Sequence, residues 1–111
     1  IRDLVADAEG QAVPIWLTEF GAPTGTADSA VGEADQANMV RESLRCAGRL
    51  DWVGPLYLYN LRDRPGGDID EAEDNFGLYT ADARPKASAI VVRDHQDIAP
   101  GSLVESPCEG W

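Results

Sequence analysis

Apolar residues fall along this chain in two short dense runs and two periodic stretches. Residues 13–20, VPIWLTEF, are almost continuously apolar over the length of one strand, as expected of a parallel strand covered on both faces. Residues 52–59, WVGPLYLY, form the second run. Pro55 disrupts a regular ladder unless it lies near the strand start or at a bulge, so pairing is expected mainly after it. Between the runs, a step of about 100° per residue through EADQANMVRESLRCAGRL places Ala37, Met39, Val40, Leu44, Ala47 and Leu50 on one side. Arg41, Glu42, Arg45 and Arg49 fall opposite, which predicts an amphipathic helix with a core face and a water face. Gly32 is its expected N-cap, with Glu33 and Asp35 in the first turn, where acids complement the helix dipole. In NFGLYTADARPK, Ala81–Asp82–Ala83–Arg84 separates an apolar patch from Pro85 and predicts a short hairpin or turn. A last helix is expected at about residues 86–94, and the spacing of Ile1, Leu4 and Val5 reads as a helix end over residues 1–9. Residues 96–111 include IAPGSLVESPCEGW, with three breakers and no period, and are expected to be an extended or disordered tail.

Strand, loop, helix, strand, loop, helix is the order of βα units, and a right-handed crossover sets the two strands parallel in one sheet. Two strands make no stable parallel sheet alone. In parallel α/β folds the chemistry lies in the loops that follow the strands. The first strand ends there on a single carboxylate, Glu19, before the small and turn-prone GAPTGTADSAVG.

Composition narrows the possibilities. With 111 residues, 43% of them apolar, the chain is one small domain or part of one. It opens in mid-pattern without a methionine, and the expectation is a fragment of a longer protein. Twenty acidic against nine basic side chains give a net charge of −11, which repels nucleic acid and anionic membrane surfaces. No apolar stretch approaches the roughly 18 residues of a spanning helix. The opening IRDLVADAEG carries acids where a secretory leader has a basic start. Cys46 and Cys108 permit one bridge at most and lack metal-type spacing. The plain reading is a buried thiol at Cys46 and a stray one at Cys108; the alternative is that the tail reaches back and pins itself, closing a loop of about 60 residues.

PIWLTEFGAPT, in which a Glu closes the strand and Phe-Gly follows, resembles the seventh strand of clan A glycoside hydrolases, the retaining (β/α)8-barrel enzymes of the cellulase and xylosidase type. YNLRDRPGGDIDEAEDNFGLYTADARPKASA is similar to their eighth strand, its long loop and the segment into the last helix, as in cellulase-like family five and xylosidase-like family thirty-nine. The match covers about residues 13–91. The resemblance implies the α/β C-terminal portion of a (β/α)8 TIM barrel, about two βα units, over residues 1–95, acting on β-linked poly- or oligosaccharides. It implies that Glu19 is the nucleophile. A retaining glycosidase needs two carboxyl groups about 5 to 5.5 Å apart, one attacking the anomeric carbon and one protonating the departing oxygen. Strand alternation groups Ile15, Leu17 and Glu19 on one face and Trp16 and Thr18 on the other. In a barrel that turns Glu19 inward and packs Trp16 against the outer helices.

The departures are as informative. The acid/base Glu of the clan follows an Asn at the end of strand four, and no Asn-Glu pair occurs here, so half of the machinery belongs to residues outside this chain. Where the family often has a tryptophan beneath the sugar, this sequence has Leu58 or Tyr59, so the platform is a tyrosine or is lost. Tyr59 and Asn60 are candidate substrate contacts, as are Arg62 and Asp63, which otherwise form a local structural pair. The expected partners are a carbohydrate and the missing N-terminal barrel units, with no nucleic acid, membrane, cofactor or metal. Asp68, Asp70, Glu71, Glu73 and Asp74 are rich enough in oxygen for calcium but lack EF-hand spacing, and a solvated charge run is the plainer reading. His95 reads as a surface histidine. Two competing readings are a carbohydrate-binding barrel relative that has lost the reaction and an unrelated small α/β domain.

Overall fold

The computed structural model describes residues 13–96 and Cys108. The expectations for residues 1–9 and for most of the tail lie outside the described residues. Strand β1, Ile15–Phe20, pairs in parallel with β2, Val53–Leu58, and helix α1, Glu33–Ala47, makes the crossover. After β2, a long loop carries a single 3₁₀ turn, Ala72–Asp74, and leads to helix α2, Ala87–Gln96. The expected mixed α/β order with parallel strands is what the chain adopts.

Pro55 lies inside β2, earlier than expected for regular pairing, and the register explains how. Ile15 pairs with Val53 but Leu17 pairs with Leu56, so β2 spends an extra residue at Gly54–Pro55, where a missing N–H is tolerated. A second irregularity follows in β1. Phe20 pairs with Leu58, three residues of β1 against two of β2, and both Thr18 and Glu19 are exposed there.

That irregularity corrects the strand faces read from simple alternation. Leu58 packs against the core under the helices, and through Leu56 the half-buried Leu17 shares its face. Trp16 lies on the opposite side against Gly54 and is 59% exposed, so it does not pack beneath an outer helix. Glu19 is freed from the alternation of Ile15 and Leu17 by the extra residue and shares its exposure with Thr18.

In α1, Gly32 is the N-cap, with Glu33 and Asp35 in the first turn. The helix ends sooner than its period suggests. Gly48 donates its N–H to Leu44 O at 3.2 Å, and Leu50 turns back with its N–H on Cys46 O at 3.1 Å. The buried stripe is also rotated from the apolar count. It runs through Gln36, Ala37, Val40, Ser43 and Cys46, while Met39 is 40% exposed. Arg45, expected on the water face, is buried, with its guanidinium 2.5 Å from the Glu42 carboxylate. The stripe turns because polar residues of α1 have buried partners. Ser88 of α2 donates to Gln36 Oε1 at 2.7 Å. The small apolar core comprises Val40, Leu78 and Ala89, with Leu44, Leu58, Tyr79, Val91 and Val92 around it.

Cys46 is not a free thiol. It is bonded to Cys108 with Cα atoms 5.7 Å apart, which ties the chain 62 residues further on to the end of α1.

Candidate active site

The register brings the carboxyl ends of the two strands level, and the backbone then fastens them. Tyr59 donates its N–H to Phe20 O at 2.8 Å. Gly21 follows at the point of closest approach: a Cβ there would collide with the Tyr59 carbonyl, so only glycine lets the two chains meet. The Tyr59–Asn60 peptide is cis. Beyond it, Asn60 N–H reaches Phe76 O at 3.2 Å and Leu78 N–H reaches Asn60 O at 3.0 Å, so the far limb of the long loop runs alongside the exit from β2.

These contacts form an open cleft of about 270 Å³ lined by Glu19, Phe20, Gly21, Tyr59, Glu73 and Phe76. The Tyr59 and Phe76 rings meet edge to face with centroids 5.5 Å apart, a favourable arrangement for aromatic pairs. The cleft therefore has an aromatic wall and two carboxylates. Neither Glu19 nor Glu73 makes a side-chain hydrogen bond or ion pair among the described residues.

Of the candidate residues, Glu19 and Tyr59 are brought together. Asn60 stands at the edge, with its Oδ1 accepting the Arg62 N–H at 2.9 Å. Arg62 is exposed and outside the cleft lining. Asp63 is buried elsewhere, and it pairs with Lys86 and not with Arg62. Its Oδ1 accepts from Lys86 Nζ at 2.8 Å and from Gly77 N–H at 2.8 Å. Lys86, 1% exposed, also donates to Thr24 Oγ1 at 2.7 Å and to Asn75 O at 3.3 Å. Gln36 adds bonds from Nε2 to Ala22 O at 2.9 Å and to Gly77 O at 3.2 Å. One buried polar network thus holds the loop after β1, the loop after β2 and both helices, directly behind the strand ends.

The acidic run is organised by its own backbone. Asp74 Oδ2 accepts the Asp68 N–H at 2.9 Å and its Oδ1 lies 3.2 Å from Arg64 Nη1. These contacts, the backbone N–H first, hold its carboxyl below the usual range. Asp68 Oδ1 accepts the Asp70 N–H at 3.0 Å, and Asn75 Nδ2 caps Asp68 O and Glu71 O, each at 2.7 Å. The Thr26 hydroxyl binds Asp70 Oδ1, and Thr26 N–H binds Ile69 O at 3.0 Å, which joins the acidic run to the loop after β1. No group of His, Cys, Asp and Glu among the described residues has a metal-holding arrangement.

Sequence reasoning missed Glu73, Phe76 and Lys86. Glu73 sits among similar acids, and only the pairing of NFGL with the exit from β2 singles it out. Lys86 follows a proline in a polar stretch and looks like any surface lysine until the carboxylate of Asp63 is found buried against it.

No protein-family model and no curated protein matches the chain. Solved structures do. The GH2 beta-galacturonidase from Eisenbergiella tayi bound to galacturonate superposes with a TM-score of 0.66 and 21% identity, over 87% of this chain and 20% of that one. The beta-glucuronidase of Lactobacillus rhamnosus gives 0.65 and 24%, over 88% and 18%. GH5_18 from Streptomyces cattleya in complex with GlcNAc gives 0.56 and 28%, over 78% and 21%. These neighbours are glycoside hydrolases. The chain spans about a fifth of their length and shares the fold of that part. The resemblance to families five and thirty-nine is met only in part: one of these neighbours is a GH5_18 protein, while the first is a GH2 enzyme.

Proposed function

We propose that the chain is the C-terminal portion of a (β/α)8-barrel glycosidase of the retaining type, with β1 and β2 as its last two strands and Glu19 as the nucleophile. One observation carries the reading: Glu19 stands, uncommitted, at the carboxyl end of a parallel strand, in an open cleft beside Tyr59 from the end of the next strand. An ionised carboxylate there attacks the anomeric carbon, displaces the leaving oxygen and forms a glycosyl ester that water then hydrolyses. Tyr59 offers an aromatic edge and a hydroxyl to the sugar. The residues that hold Glu19 and Tyr59 in register are those of the buried network behind them, with Asp63 as a positioning residue.

The general acid would come from upstream residues of the full-length protein, from a Glu that follows an Asn at the end of a fourth strand. Proton transfer to the leaving group contributes about 10²- to 10⁴-fold, so the 111-residue chain by itself turns over nothing. The deciding experiment incubates the full-length protein with an activated 2-deoxy-2-fluoro glycoside and maps the label by mass spectrometry. Label is expected on the peptide that contains Glu19. Label on another carboxylate overturns the assignment, and tight sugar binding with no label at all replaces it with a carbohydrate-binding relative.

A further inference from the structure

We propose that this cleft selects uncharged β-glycosides and turns away uronides, and that Glu73 sets the preference. The inference deepens the reading of Glu19 as nucleophile and rests on it.

Among the residues that line the cleft, Glu19 and Glu73 carry charge and no cation accompanies them. The nearby basic groups of the strand-end loops are engaged elsewhere. Arg64 lies against Asp74 at 3.2 Å, Arg84 against Glu33 at 2.6 Å, and Lys86 is buried against Asp63 at 2.8 Å. The remaining one, Arg62, is exposed outside the cleft. A sugar carboxylate on this wall meets two like-charged carboxylates and no cation, with the neutral Tyr59 hydroxyl as the side-chain donor.

Glu73 and Glu71 differ from the other acids of the run in what their side chains do, and of these two Glu73 is the one that lines the cleft. Asp68, Asp70 and Asp74 accept hydrogen bonds from backbone, threonine or arginine within the loop. Glu73 does not, although its backbone is fixed. It sits in the 3₁₀ turn Ala72–Asp74, closed by Asn75 N–H on Ala72 O at 3.0 Å and by the Asn75 amide across Glu71 O. A fixed, uncommitted carboxylate beside the aromatic Phe76 suits a sugar whose hydroxyls donate and whose C–H face packs on the ring. The same carboxylate repels a uronate, which brings a second acceptor-only charge into the cleft. The galacturonate-bound neighbour shares the fold, so fold alone does not fix the charge of the substrate.

The test uses the full-length protein and matched pairs of aryl β-glycosides that differ only at C6, hydroxymethyl against carboxylate, in the gluco, galacto and manno series. In the best-used series the neutral member is expected to exceed the uronide in kcat/KM by at least about tenfold, as repulsion across a few ångströms of partly hydrated cleft requires. Glu73→Gln narrows that ratio several-fold, and Glu73→Lys narrows it further or inverts it. Labelling of Glu19 by the neutral 2-deoxy-2-fluoro glycoside is followed in each variant to show that the site is intact. Label on Glu19 with equal or preferred use of the uronide overturns the preference alone. Label on Glu19 with a ratio unmoved by either substitution removes Glu73 from the role. Failure to label Glu19 with any of the sugars overturns the nucleophile reading and the preference with it.

Discussion

Between the strand-end loops and the helices, Lys86, Gln36 and Ser88 are among the largest fully buried side chains, whereas the sheet leaves Trp16 59% and Tyr57 51% exposed. Polar groups fill the first region and large apolar groups face water in the second. The first is complete within the chain: no buried side-chain nitrogen or oxygen among the described residues lacks a hydrogen-bond partner. The second, among the described residues, is a sheet of two strands that leaves Trp16 and Tyr57 exposed. Isolated two-stranded sheets are marginal in water and parallel sheets are normally covered on both faces. The proposal that the chain is the last two units of a closed barrel expects this contrast, with the loops finished locally and the sheet face left for other strands.

The largest expected effect comes from breaking the polar layer. Lys86→Met leaves the Asp63 carboxylate buried beside Gly77 without its cation, and removal of one partner of such a pair costs about 3–5 kcal/mol. Lys86→Met combined with Asp63→Leu should recover much of that loss, because no charge is then stranded. Denaturant midpoints of the two variants check this, and a single-variant cost near that of a surface substitution would make the layer incidental. Next in size is the bridge. Cys108→Ser releases the chain from α1; closure of a loop of this length contributes about 4 kcal/mol in the chain-entropy account, and strain usually brings the observed figure to about 2–4 kcal/mol. Thiol titration of the oxidised protein in denaturant should find neither cysteine free.

The parts of the molecule legible in the sequence were those set by short-range pattern. The order of elements, the Gly32 N-cap, the turn around Ala83 and the place of Glu19 at a strand end all follow from local periodicity and turn chemistry. The turn is closed by Ala83 N–H on Thr80 O at 2.9 Å and Thr80 N–H on Arg84 O at 2.9 Å. What escaped depends on register. Two one-residue shifts between paired strands decide which way Trp16 and Glu19 face, and periodicity has no access to them. Lys86 and Asp63 are 23 residues apart and Gln36 and Ser88 are 52 apart, so neither buried pairing leaves a local signal; Asp63 read as a sugar contact or a partner of Arg62, and Arg45 as a water-facing residue, because charged residues are rarely buried.

The sheet face supplies a smaller effect that tests the comparison from its other side. Trp16 and Tyr57 already meet solvent, so Trp16→Ser and Tyr57→Ser should each change the stability of the 111-residue chain by no more than about 0.5 kcal/mol. They should nevertheless lower its binding of a hydrophobic dye, since contiguous apolar surface is what such dyes report. In the full-length protein the same Trp16 substitution is expected to cost several times more if further strands cover it. Equal cost in both would leave the sheet face exposed by design and remove its support for the barrel.

The smallest effect lies at the rim, where Arg84 Nη2 sits 2.6 Å from Glu33 Oε1 with both side chains partly in water. The bond from Arg84 is the main cause that holds the Glu33 carboxyl below its ordinary value of 4.5. A carboxyl lowered in the folded state stabilises above its unfolded pKa, and that contribution fades as pH falls through the folded value. The denaturation midpoint should therefore exceed that of Glu33→Gln at neutral pH, and the difference should shrink as pH drops below about 4.5. Asp74 and Asp82 are lowered too, by the Asp68 N–H and by the Thr80 hydroxyl. They titrate alike in both proteins and leave the difference untouched. Added salt should reduce the gap at neutral pH, because exposed pairs are screened. A gap that persists at low pH or in high salt would mean that Glu33 acts through packing at the α1 terminus and not through its charge.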